Sequence, residues 1–114
     1  MLDPELQRQL DQVRDVLKPT IDRLACAQVL DLAKVDALKS ELDAFVELAR
    51  NAWLLPKDLL SSIRLLRSLL QDRMEREPDP APLADLDQFL EKAFGCLLGG
   101  EGMDDRKPGV PRIV

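Results

Sequence analysis

Apolar side chains recur at helical spacing in four segments of this chain, and this periodicity limits the possible folds more than any other feature. In the first segment, steps of four and three residues place one stripe on a single helix face, made of Leu6, Leu10, Val13, Leu17 and Leu24. Only 4% of the residues are aromatic, and leucine dominates the apolar set, which favours helices over strands. The pattern therefore predicts an all-α protein.

The first helix has a clear start and one interruption. Asp3 is a suitable N-cap, and Pro4 follows at the first helical position, where its missing N–H group costs nothing. The apolar stripe continues beyond Pro19, which predicts one kinked helix, although a clean break at Lys18 is the alternative.

The second segment covers residues 31–53. Its start lies near residues 29–32, and either Asp31 or Asp36 could cap it. Its predicted buried face consists of Val35, Leu38, Leu42, Phe45, Val46, Ala49 and Trp53. A third helix then begins at Pro56, so we expect a tight turn of about three residues between these two helices.

The third helix extends to about residue 77, where the connector "EPDPAP" ends it. The fourth covers residues 83–98 and ends at a pair of glycines. Its apolar positions are Leu83, Leu86, Leu90, Phe94 and Leu97, with Phe89 beside them. Together the segments predict an antiparallel four-helix bundle over residues 1–98 and a flexible tail rich in Gly, Pro and charge over residues 99–114.

The third helix has an unusually wide apolar arc, about 220° where a stripe of about 100° is common. Either this helix is central in the monomer, or its surplus apolar side around Leu65 and Leu69 meets another chain. Its polar strip is basic. The strip either pairs with acidic neighbours or is simply solvated, or it joins a mixed apolar and arginine contact surface. The residues of this predicted protein-binding face are Leu54, Lys57, Arg64, Leu65, Arg67 and Leu69.

Catalytic chemistry has little support in this composition. The chain contains no His, which removes the commonest general base and metal ligand and every Ser-His or Cys-His nucleophile pair. Cys26 and Cys96 have apolar neighbours, and we expect both to be buried. We therefore expect no enzymatic activity, cofactor, small-molecule substrate or metal, with an all-carboxylate Mg²⁺ or Ca²⁺ site as the alternative.

Charge and hydropathy narrow the partners and the location. The net charge of −5 repels phosphate backbones, so nucleic acid is a disfavoured partner. No apolar run reaches the ~18 residues of a membrane span, and the acidic start does not fit a signal peptide. We expect a cytoplasmic protein.

These features give three functional hypotheses. The first is a small acidic binding module that occludes or adapts a partner protein, because an acidic surface can cover a basic one. Immunity proteins, antitoxins and phage-encoded inhibitors share this size and charge, although no motif links the chain to them. The second is a structural homo-oligomer joined through the third helix. The third is a nucleic-acid-associated subunit that uses Arg64, Arg67, Arg73 and Arg76.

Trp53, the only Trp of the chain, offers a direct test of the core assignment. If it plugs the end of the bundle, Trp53→Ala should lower the free energy of unfolding by about 3–5 kcal/mol, as for other buried aromatics. Denaturant unfolding measures this loss. An unchanged stability together with lost partner binding would instead make Trp53 a surface anchor.

Overall fold

A computed structural model describes residues 3–50 and 55–99. The helices in these residues are α1 (Pro4–Ala25), α2 (Leu32–Leu48), α3 (Lys57–Met74) and α4 (Ala81–Gly99). They form a small helical bundle in which α1 and α4 each contact both α2 and α3. The prediction of an all-α domain is confirmed.

Side-chain caps begin the first two helices. The Asp3 carboxylate accepts a hydrogen bond from the Glu5 N–H at 2.9 Å, and Pro4 occupies the first helical position as predicted. The Asp31 carboxylate accepts from the N–H groups of Ala33 and Lys34, at 3.1 and 3.4 Å. These bonds satisfy donors that have no partner inside a helix. Asp31, and not the alternative Asp36, is therefore the cap of α2.

Helix α1 continues through Pro19, so it does not break at Lys18. Thr20, which follows the proline, is the buried polar residue among those described. Its hydroxyl donates to the Val16 carbonyl oxygen at 2.9 Å, which satisfies the hydroxyl inside the core.

Helix α2 is shorter than predicted, because it ends at Leu48 and not at residue 53. Its last turn tightens, with Arg50 N–H donating to the Glu47 carbonyl at 3.4 Å. Helix α3 begins at Lys57, and the predicted turn of three residues falls partly on residues 51–54, which lie outside the described residues. Trp53 and Leu54 lie outside the described residues, so the roles predicted for them stay predictions.

The connector between α3 and α4 also differs from the prediction. Helix α3 ends at Met74 and not at residue 77, because Pro78 disfavours a helical backbone at Glu77. Helix α4 begins at Ala81, two residues earlier than predicted. Pro82 fits there because N–H groups in a first turn need no helical partner.

The core follows the predicted stripes closely in α1 and α2. Every residue of the α1 stripe is buried, and so is every described residue of the α2 face. In α4, Phe94 is only partly buried, whereas the small side chains of Ala93 and Cys96 are fully buried. Cys26 is exposed at the end of α1, so the prediction that both cysteines are buried is wrong for Cys26.

None of the helices within residues 3–50 and 55–99 is long and apolar enough to cross a membrane. The tail predicted for residues 99–114 falls outside the described residues from residue 100 onward. Its flexibility and the division of the chain at residue 98 remain predictions.

Two leucines of α2 form a matched test of the core. Leu38 is completely buried, whereas Leu32 is 61% exposed. Leu38→Ala should lower the free energy of unfolding by about 2–5 kcal/mol through lost burial and an unfilled cavity. Leu32→Ala should change it by less than about 0.5 kcal/mol. Urea unfolding of both variants measures the difference, and equal losses would contradict the packing of α2.

Candidate functional site

The basic strip predicted on α3 divides into structural and exposed positions. The Arg67 Nε–H donates to the Asp87 carboxylate at 2.9 Å, and a second nitrogen of Arg67 lies 3.8 Å from the Glu91 carboxylate. The Asp87 side chain is only 14% exposed. Hydrogen bonds to a shielded carboxylate are stronger than those on open surface. Arg67 therefore joins α3 to α4, although the sequence pattern predicts it as part of the binding face.

Two further arginines, one in the last turn of α3 and one just after it, are also engaged within the chain. Arg73 forms an ion pair with Glu77 at 3.5 Å and donates to the Gln28 carbonyl oxygen at 3.1 Å. Arg76, which follows α3, pairs with Asp72 in its last turn. The interpretation that the basic strip pairs with acidic neighbours fits these residues.

Lys57 and Arg64 are the exposed basic positions of the predicted face. Neither forms a hydrogen bond or an ion pair with another side chain in the part of the chain that the structure describes. Both charges are therefore available to a partner.

The predicted surplus of apolar surface on α3 is concentrated at one residue. Leu69 is partly buried and packs against the core, while Leu65 is 50% exposed. The neighbours α1 and α4 cover most of the wide apolar arc, because α3 contacts both helices. Of the predicted apolar site residues that are described, Leu65 is thus the one with a large exposed surface.

A groove of about 310 Å³ opens between α1 and α3. We call it the α1–α3 groove. Its apolar side chains are Leu17, Ile21 and Leu59, and its polar side chains are Arg14, Asp15, Lys18, Asp58 and Ser62. Leu65 follows Ser62 by three residues on α3, so the two lie on neighbouring turns of the same helix side.

One interhelical ion pair borders the α1–α3 groove. An Arg14 guanidinium nitrogen on α1 lies 2.7 Å from the Asp58 carboxylate on α3. Both side chains are exposed, so the pair itself adds little to stability. Lys18 and Asp15 also line the groove, so its polar edge carries charges of both signs.

Sequence reasoning missed the contribution of α1 to this surface. Ile21 lies four residues after Leu17 and is therefore near it on the helix surface. This spacing is the sequence signal that could have predicted the contribution of Ile21. The predicted stripe of α1 instead passes from Leu17 to Leu24. Only the packing of α1 beside α3 shows that Ile21 and Ser62 line the same groove.

The chemistry of the described residues is that of a contact surface. Within residues 3–50 and 55–99, no cluster of three or more Cys, Asp or Glu side chains could hold a metal ion. The α1–α3 groove offers apolar contact flanked by charges of both signs. Such a lining suits the side chains of another polypeptide.

Arg67 and Arg64 provide a test of the division within the basic strip. Arg67→Met should lower the free energy of unfolding by about 1–3 kcal/mol, because the shielded Asp87 carboxylate loses its charged donor. Arg64→Met should change it by less than about 0.5 kcal/mol, because Arg64 is exposed. Denaturant unfolding compares the two, and losses of similar size would contradict the structural role of Arg67.

The chain was compared with known proteins at three levels. No family model matches it, and neither a curated protein nor a solved structure was found to match. A functional interpretation of this bundle therefore depends on the arrangement of its own side chains.

Proposed function

We propose that this protein is a small, acidic, non-catalytic binding module that occludes or adapts a partner protein. The observation that carries this proposal is the half-exposed Leu65 beside the α1–α3 groove. Single exposed leucines are common on protein surfaces. An exposed leucine beside a groove with an apolar floor provides the centre of an interface.

The surroundings of Leu65 support a protein partner. Interfaces commonly combine an apolar centre with a polar rim, and the rim here contains Arg14, Lys18, Asp15 and Asp58. The exposed Lys57 and Arg64 are not part of the groove lining and add basic charge on another side of α3. A partner with charges of both signs could pair with such a rim, whereas a uniform polyanion would meet Asp15 and Asp58.

The net charge gives the partner a second property. At −5, the chain attracts a basic protein surface and speeds the encounter with it. Covering a basic surface is one way in which a small protein can occlude a larger one. We include a cytoplasmic location in this proposal.

The proposal also includes an antiparallel order of successive helices. Gln9, near the start of α1, donates to the Glu41 carbonyl and carboxylate oxygens in the second half of α2, both at 2.8 Å. Arg67, late in α3, pairs with Asp87, early in α4. Both contacts support neighbours that run in opposite directions, with short connections between them.

A kink in α1 is the remaining part of the proposed architecture. Pro19 cannot donate to the carbonyl four residues earlier and crowds it. The Thr20 hydroxyl bonds back to the Val16 carbonyl, an interaction that often bends helices. Both features support a bend in this part of α1.

Self-association is the second candidate function, favoured by the same exposed leucine. Two copies related by a two-fold axis could each place Leu65 against the groove of the other. Light scattering separates the candidates. A mass of 12.8 kDa at all concentrations supports a module for a different protein, and a stable dimer supports the homo-oligomer.

A nucleic-acid-binding role has less support. Arg67, Arg73 and Arg76 already pair with carboxylates. Phosphate groups would have to compete with these neighbours and with the acidic charge of the whole chain. A shift of mixed DNA or RNA at low salt would restore this hypothesis.

Leu65→Lys tests the proposed face directly. The substitution should abolish partner capture from an extract of the source organism, because a charge then occupies the apolar centre. The matched control is Leu48→Lys, at a leucine of α2 that is 41% exposed. Affinity purification followed by mass spectrometry compares both variants with the unmodified chain.

Thermal unfolding verifies that both lysine variants are folded. A partner retained by Leu65→Lys and lost by Leu48→Lys would contradict the proposed site. Retention by both would place the interface on another surface.

A further inference from the structure

The loop between α1 and α2 presents apolar side chains to solvent. Val29 is 74% exposed, and Leu32, in the first turn of α2, is 61% exposed. Neither belongs to the α1–α3 groove. Their exposure therefore calls for an explanation separate from the proposed α3 interface.

Hydrogen bonds hold this loop in a defined conformation. The Arg23 guanidinium donates twice to the Val29 carbonyl, at 2.9 and 2.8 Å. The Gln28 N–H donates to the Arg23 carbonyl at 2.8 Å, and Arg73 of α3 donates to the Gln28 carbonyl at 3.1 Å. The loop is thus tied to the helices on both sides.

Ala27 belongs to the cap that ends α1. Its φ of 60° lies in the left-handed region, and the N–H groups of Gln28 and Ala27 donate to the carbonyls of Arg23 and Leu24 at 2.8 and 3.1 Å. This is the Schellman arrangement common at helix C-termini, in which Gly is the usual residue. The cap and the bonds from Arg23 and Arg73 to the loop carbonyls hold the loop, so Val29 and Leu32 are presented in a preorganised form.

A pocket of about 200 Å³ lies between this loop and the α3–α4 connector, and we call it the loop pocket. Val29, Leu30 and Leu32 line one side. Pro82 and Leu83 of α4 contribute the apolar surface opposite. The pocket is large enough for one aliphatic side chain of a partner.

The charge around the loop pocket is negative on balance. Residues 22–36 and 72–85, which form this end of the bundle, contain eight acidic and four basic side chains. In the pocket lining, Arg73 and Glu77 offset each other as an ion pair, and Asp79 forms no ion pair among the described residues. The Asp79 carboxylate therefore favours a cationic side chain at the pocket edge.

We propose that the loop pocket is a second docking site, for a partner segment that carries an aliphatic side chain next to Lys or Arg. The aliphatic side chain would enter between Leu30 and Leu83, and the cationic group would lie near Glu77 and Asp79. Because this surface differs from the α1–α3 groove, it would allow the protein to contact two partner segments at once.

The charge also disfavours other occupants. A second copy of this chain would bring another acidic end against Glu77 and Asp79, and such like-charge contacts are repulsive. An acidic peptide meets the same repulsion. Of these occupants, a segment with an aliphatic side chain next to Lys or Arg is the one that fits both the apolar lining and the negative charge of the pocket.

A selection of phage-displayed random peptides on the intact protein tests this proposal. We expect enriched peptides in which an aliphatic residue adjoins Lys or Arg, and weaker binding at high salt. A synthesised enriched peptide should shift the backbone amide resonances of Val29, Leu32 and Glu77. Enrichment of acidic peptides, or no enrichment, would overturn the proposal.

The double variant Val29→Ser/Leu32→Ser identifies the binding surface. It should bind the synthesised peptide at least about tenfold more weakly, because two apolar contacts are lost. Leu65→Ser, which alters only the first proposed surface, should bind it unchanged. Undiminished peptide binding by the double variant would overturn the proposal, and so would a dimer of the unmodified chain that the double variant abolishes.

The amide shifts of the unmodified protein keep the test independent of variant folding. Shifts confined to α1 and α3 around Leu65 would overturn a site at the loop pocket. If only variants at Leu65 lose binding to their partner, the proposal for the loop pocket is unaffected. The two proposed surfaces are therefore tested separately.

Discussion

Burial of four leucine-rich stripes against one another is the constraint on which this structure depends. In proteins most helical stability comes from the packing of an amphipathic face, so each helix gains its stability from the faces of its neighbours. Val13, Leu38, Leu66 and Leu86, one from each helix, are completely buried. Because aromatic residues are scarce, the core is filled mainly by leucine.

This core determines which side chains remain available for function. Once Leu59, Ile63 and Leu66 face inward, Arg67 is directed toward α4 and Leu65 toward solvent beside α1. Backbone hydrogen bonding fixes the conformation of the loop after α1. There Arg23 and Arg73 donate to carbonyl groups that have no partner within a helix. Val29 remains exposed as a result. Both proposed binding surfaces thus occupy positions that the packing of the core leaves open.

Periodicity was sufficient to predict the helices and most of the core, because large apolar residues at steps of three and four mark a buried face. It was less informative about small residues: Ala93 is buried, although it does not stand out by size, whereas the burial of Cys96 was predicted from its apolar neighbours. Helix ends also escaped prediction, as at Leu48, because local turn geometry decides them. Of the candidate site, the exposure of Leu65 could be anticipated from the wide arc of α3. Pairing of the basic strip with acidic neighbours was one predicted alternative, but the choice of Asp87 as the partner of Arg67 and the loop pocket could not be predicted, because both depend on residues distant in sequence.

Hydrogen–deuterium exchange of the protein alone and in its isolated complex is the most direct test of the central claim. The claim is that the surface around Leu65 and the α1–α3 groove binds a partner protein. It predicts added protection in residues 14–21 and 58–69 when the partner is bound. Protection confined to α2 and α4, with these two segments unchanged, would contradict it.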